Sequence, residues 1–263
     1  MLRIITGLIV LSSLAILCFA QTPNLPSDAR GVIRLRVRVK VGNSTRGLSR
    51  KRFFLIKGSL EQNKSVLESI NQRPVITRDC YYRGAGASEQ LINWLRENDC
   101  ESVYCREIEE KDLEGTAAPP EFISALAAGE KEFGSRQLAL KWLAVNIPEK
   151  LRDPFYKNRR TEIDSITTQA ETTSGAKVLS VMTDRNGTAY FTDLEPGTYT
   201  LSNVVPIELD AATAMWNCEM QVKPGDLATE KPFQISNRTD RNVKCVAVEK
   251  PMPVCDVQRR NDR

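Results

Sequence analysis

The chain has 263 residues, 41% of them hydrophobic, enough for one large domain or for a domain carrying an insertion. Its 37 Lys and Arg against 33 Asp and Glu give a formal charge of +4, too mild a balance to imply nucleic acid as a partner. It contains no histidine, which removes Ser-His-Asp and Cys-His catalysis and the commonest metal ligand.

In chain order, residues 1–20 read as a secretory signal peptide. Arg3 precedes an apolar run from Ile4 to Leu17, and Cys18-Phe19-Ala20 leads into the polar Gln21. Cleavage is expected after Ala20, and an uncleaved anchor is the alternative. Leu17 stands where a lipobox needs a small residue, so Cys18 is not read as a lipid attachment site. Residues 21–30 are polar, contain two prolines, and read as a flexible lead-in.

Residues 31–58 predict two strands. Ile33, Leu35, Val37, Val39 and Val41 alternate with Arg34, Arg36, Arg38 and Lys40, giving one apolar and one cationic face. A loop follows over 42–47, and the run Phe53-Phe54-Leu55-Ile56 marks a second strand. Residues 59–174 have a helical character. Val66, Leu67 and Ile70 fit an amphipathic helix ended by Pro74. Ser88 is placed to cap a helix bearing Leu91, Ile92, Trp94 and Leu95, and Ser135 one bearing Leu138, Trp142 and Val145. Pro119-Pro120 opens another, with Phe122, Ile123 and Leu126 on one face. Pro148 and Pro154 read as breaks, and the Thr-rich stretch 159–173 as a loop.

From residue 175 to 250 the pattern is β again, with strands expected over 178–182, 189–192, 199–205, 218–222, 233–236 and 243–248. Residues 251–263 read as a polar tail whose start Cys255 can pin. The most informative stretch is Thr183 to Leu201. Asn186-Gly187 and Pro196-Gly197 are turn pairs, and Ala189, Phe191, Tyr199 and Leu201 alternate with polar residues between and after them.

This stretch resembles the carboxypeptidase regulatory-like, or transthyretin-like, β-sandwich, and is similar to the Cna protein B-type (Cna-B-like) repeats of bacterial surface proteins. The order that carries the resemblance is Thr183-Asp184, Gly187, Ala189, Phe191, Leu194, Pro196-Gly197, Tyr199 and Leu201. It implies a prealbumin-like antiparallel β-sandwich in an exported bacterial protein. The expected fold class is therefore mostly β with an α-helical insertion (α+β), the sandwich split in sequence by a helical subdomain over 59–174. Two independent domains would leave the first two strands as an isolated hairpin, marginal in water. Some Cna B-type domains form a Lys–Asn isopeptide bond. Asn237 lies where that asparagine would fall, but Asn203 stands near the place of the required acid, so the bond is not expected.

Six cysteines follow the signal segment: Cys80, Cys100, Cys105, Cys218, Cys245 and Cys255. An even number in an exported chain reads as disulfides, and 15 full pairings are open. Three lie mid-chain and three near the end, so either one bridge joins the groups or each keeps a free thiol. Cys218–Cys245 is the preferred cross-strand pair, both lying in strand-like runs. Zinc is disfavoured, with no Cys-x-x-Cys pair and no histidine.

The candidate site is a face for an anionic partner made of Arg34, Arg36, Arg38 and Lys40, with Arg50, Lys51 and Arg52 following in sequence. The alternative is a solvated outer sheet face that discourages edge pairing. Partners of matching chemistry are an anionic glycan, a lipid head group or an acidic envelope protein. Asp184, Asn186 and Thr188 alternate as in a calcium loop but read as hairpin chemistry. Glu109-Glu110 and Glu130/Glu132 read as solvated or ion-paired helix carboxylates, and Trp94, Trp142 and Trp216 as core. Sequons begin at Asn43, Asn63, Asn186 and Asn237, and a bacterial origin leaves them bare. No catalytic residue, cofactor or metal site is predicted. The resulting expectation is an exported, non-catalytic binding or structural module of the cell envelope or exterior. A hydrolase with its site in the helical segment and a membrane-anchored assembly factor are the alternatives.

Overall fold

The computed structural model describes residues 29–209, 212–226, 232–236 and 244–255. Residues 1–20, read from sequence as a signal peptide, most of residues 21–30, Asn237 and the residues beyond 255 lie outside the described residues. The strands are β1 (Gly31–Val41), β2 (Ser44–Gly47), β3 (Arg52–Lys57), β4 (Leu179–Met182), β5 (Thr188–Leu194), β6 (Gly197–Ser202), β7 (Ile207–Leu209), β8 (Ala212–Val222), β9 (Phe233–Ile235) and β10 (Cys245–Pro251). The helices are α1 (Lys64–Gln72), α2 (Arg78–Gly84), α3 (Glu89–Glu97), α4 (Pro120–Phe133), α5 (Arg136–Lys141), α6 (Glu149–Arg152) and α7 (Pro154–Ser174).

The molecule is an α+β structure with two mostly antiparallel sheets. In the smaller sheet β1 is central, antiparallel to β2 and β5, with β9 joining it in parallel. The larger has the order β10-β8-β6-β3-β4, and β7 also pairs with β8. Strands from before and after the helical stretch therefore share both sheets. The sheets face each other across one apolar core. Ile33, Leu35, Val37 and Val39 of β1 and Phe191 of β5 meet Phe53, Leu55, Tyr199, Leu201 and Trp216 of the larger sheet.

Residues 44–47, read from sequence as loop, are the returning strand of a hairpin with β1. Gly42 takes φ 57°, the positive value that a two-residue hairpin turn needs. At the β4–β5 turn the close approach is what demands glycine: a Cβ on Gly187 would lie 2.4 Å from the Val37 carbonyl oxygen. Asp184 Oδ1 accepts from the Asn186 and Thr188 amides at 2.8 Å each, so the trio with calcium-like spacing builds the turn.

The larger sheet is buried on its second face too. Phe54 and Ile56 of β3 pack against Val66, Leu67 and Ile70 of α1 and Ile166 and Ala170 of α7. This explains the unbroken Phe53–Ile56 run, since a strand covered on both sides has no polar face. A separate helical core gathers Tyr82, Leu91, Trp94, Leu95, Phe122, Leu126, Leu143 and Phe155. Ser88 and Ser135 cap α3 and α5 as their sequence positions suggest, accepting from the Leu91 and Leu138 amides.

Helix α7 corrects the loop expected over 159–173. Pro154 occupies the first helical position, where its missing N–H costs nothing, and Gly175 ends the helix with φ 63°. The threonines are accommodated because Thr161, Thr167, Thr172 and Thr173 donate their hydroxyls to carbonyls one turn back. Phe155 enters the helical core while Ile166 and Ala170 sit on the sheet, so α7 joins the two.

Three disulfides are present. Cys218–Cys245 bridges facing residues of β8 and β10. Cys100–Cys105 closes a short local loop, and Cys80–Cys255 joins α2 to the segment after β10.

Candidate binding face

The strand period decides the site. On β1, Ile33, Leu35, Val37 and Val39 turn into the core, so Arg34, Arg36, Arg38 and Lys40 turn outward. The helices pack against the larger sheet; on the outward row of the smaller sheet Arg38 is exposed, and Arg34, Arg36 and Lys40 are half-buried.

Register gives the neighbours. Arg34 stands opposite Tyr190, Arg38 opposite Gly47 and Lys40 opposite Thr45. Arg36 is flanked on both sides, by Thr188 of β5 and Gln234 of β9. Directly opposed residues share a face, so among the described residues no carboxylate stands opposite Arg34, Arg36 or Arg38. Among the described residues, Arg34, Arg36 and Arg38 form no ion pair. The Nε atoms of Arg34 and Arg36 are shielded from water and have no hydrogen-bond partner. Such a donor costs on the order of 1–3 kcal/mol. An oxyanion approaching side-on takes the Nε and Nη protons together and removes that cost.

The other three predicted cations lie elsewhere. Arg50 adopts φ 54° in the link between the sheets and donates its amide to Thr183 O. Lys51 donates its amide to the Thr183 hydroxyl, which in turn donates to Leu48 O. Arg52 begins β3 in the larger sheet and donates to Ser180 Oγ. Proximity in sequence did not place these residues beside the β1 row, because the chain crosses between sheets at Ser49–Lys51.

No protein family, curated protein or solved structure matches this chain.

Several carboxylates of the helical region are engaged in structure. Arg136 binds Glu110 and Glu130 together, while Glu109 pairs with Lys111. Burial opposes the charge on Asp79, but hydrogen bonds from Arg96 and Arg78 outweigh it and hold the carboxyl below its usual range. Asp112 is likewise disfavoured by burial yet held low by Arg106 and the Glu109 amide. A cleft of about 330 Å³ lies between the start of α4 and the segment before α6, lined by Pro120, Glu121, Ser124, Ala125, Asn146 and Pro148. Both Glu121 carboxylate oxygens are taken by Ser88, one by its amide and one by its hydroxyl. Among the described residues no three Cys, Asp or Glu gather as a metal site.

Two tryptophans are core and one is not. Trp94 and Trp216 are buried, while Trp142 is 51% exposed. Ala139 and Leu143 take the inner face of that segment, which turns Leu138, Trp142 and Val145 to solvent.

Proposed function

We propose that this is an exported, non-catalytic binding protein of the bacterial envelope or exterior, and that the cationic face of its smaller sheet holds an anionic partner. We read its framework as a prealbumin-like sandwich of the carboxypeptidase regulatory-like kind, on the strength of the Thr183–Leu201 turn pattern and the two facing sheets. Three disulfides are compatible with an oxidising compartment, and no helix of the described residues is long and apolar enough to cross a membrane.

The observation that carries the reading is the row Arg34-Arg36-Arg38, faced by neutral side chains, with two guanidinium Nε donors lacking an acceptor. A surface kept only for solubility gains nothing from shielding an arginine donor without a partner. The test is the triple variant Arg34→Glu/Arg36→Glu/Arg38→Glu, assayed for retention on isolated envelope and on anionic polymers. Loss of retention with an unchanged unfolding curve supports the proposal, and unchanged retention by a folded variant overturns it. Intact mass of the native protein beginning at Gln21, with six cysteines labelled only after reduction, tests the export part.

A further inference from the structure

We infer that the partner of this face is an anionic polysaccharide lying along β1. The inference rests on the cationic-face reading and narrows it.

Same-face residues of a strand recur about every 6.6 Å. Arg34, Arg36 and Arg38 therefore form a row about 13 Å long. A single head group meets one or two of these cations, whereas a chain with repeating charges addresses the whole row. What stands beside the arginines is equally informative. Tyr190, opposite Arg34, is 52% exposed and offers an aromatic face on which a sugar ring can stack. Thr188 and Gln234, on either side of Arg36, offer a hydroxyl and a carboxamide, groups that both donate and accept and so suit sugar hydroxyls. Neutral hydrogen-bonding and aromatic groups on the neighbouring strands thus flank the charged row, within reach of the hydroxyls and rings of a charged glycan lying along it.

A bilayer fits less well. The half-exposed apolar side chains Leu138, Trp142 and Val145, which a lipid surface would take up, belong to the helical region and not to this sheet. Binding needs the Arg34 and Arg36 guanidinium groups to swing outward, because their Nε atoms are now shielded. Each then meets an oxyanion with two parallel N–H donors.

The experiment measures binding of the full chain to polygalacturonate, dextran sulfate, uncharged dextran, polyglutamate and phosphatidylglycerol vesicles at low and physiological salt. One or both anionic polysaccharides should bind, more weakly as salt rises, and uncharged dextran should not. Tyr190→Ala should weaken polysaccharide binding about fivefold and leave polyglutamate binding unchanged. Arg34→Gln/Arg36→Gln should weaken binding to every anion by roughly tenfold or more. Equal binding of polyglutamate or vesicles, with no effect of Tyr190→Ala, overturns the polysaccharide inference and leaves the cationic-face reading standing. Equal binding of uncharged dextran also overturns it. No binding of any anion, or none altered by the folded double glutamine variant, overturns both. Matching thermal unfolding curves confirm that each variant is folded.

Discussion

At the scale of residues, a few polar side chains carry more of the structure than their number suggests. Asn63 is buried and its Nδ2 donates to Lys57 O, Ser59 O and Thr200 Oγ1, tying the start of α1 to β3 and β6. Replacing it with Ala removes the side-chain donor from Lys57 O and Thr200 Oγ1, while Ser59 O keeps the residue-63 amide, and Asn63→Ala should cost on the order of 2 kcal/mol by urea unfolding. The same bonds keep the Asn63 amide out of reach of any modifying enzyme once the chain has folded, although it begins a sequon. Asp79 and Asp112 make acid the weak side of this protein. Their folded pKa values are depressed, so their stabilisation is complete above the ordinary carboxyl range near 4 and is lost as pH falls through the lower folded values. Thermal unfolding followed from pH 6 to 2.5 should show the melting temperature falling below about pH 4. In Asp79→Asn the starting value should be lower and the fall shallower, since one depressed carboxyl is gone.

At the scale of elements, the disulfides differ by the length of chain they close. Cys80–Cys255 spans 175 residues and Cys100–Cys105 only 5. The chain-entropy treatment assigns roughly 5 kcal/mol to the first and roughly 2 kcal/mol to the second. Denaturant midpoints of Cys80→Ala/Cys255→Ala and Cys100→Ala/Cys105→Ala should therefore separate in that order, and the reverse order would show that local strain or denatured-state structure dominates. Legibility in the sequence also varied by element. The β1 alternation, the Asn186-Gly187 turn and the caps Ser88 and Ser135 could be read directly, because each depends on a few adjacent residues. Helix α7 could not. Its apolar positions are sparse and its threonines favour extended backbone in isolation. Only the sheet beneath Ile166 and Ala170 and the helical core around Phe155 make the helix worth forming.

At the scale of the molecule, the helical core and the core on the larger sheet's helix-covered face, two of the three apolar clusters, are joined by one 21-residue helix. Thr161 lies exposed between Phe155, in the helical core, and Ile166, on the sheet. Thr161→Pro removes a backbone hydrogen bond and breaks the helix there, at a cost of about 3 kcal/mol. The expected outcome is that one calorimetric transition becomes two, with the helical region melting first; a single transition would show that Cys80–Cys255 and the segment 73–77 keep the cores coupled. By contrast, Ile166→Ala should cost about 3 kcal/mol while leaving unfolding cooperative, because it opens a cavity within one core.

The sequence by itself determined the local features: the strand with one apolar and one cationic face, the two turns and the helix caps. Each follows from backbone period or from residues a few positions apart. The tertiary structure decided which cations share a face, since Arg34, Arg36, Arg38 and Lys40 stay on one strand while Arg50–Arg52 cross to the other sheet. It decided that Trp142 turns outward, that Cys80 reaches Cys255, and that residues 154–174 are helical. These depend on what packs against each segment from far along the chain, and burial against a distant neighbour leaves no mark in the local pattern.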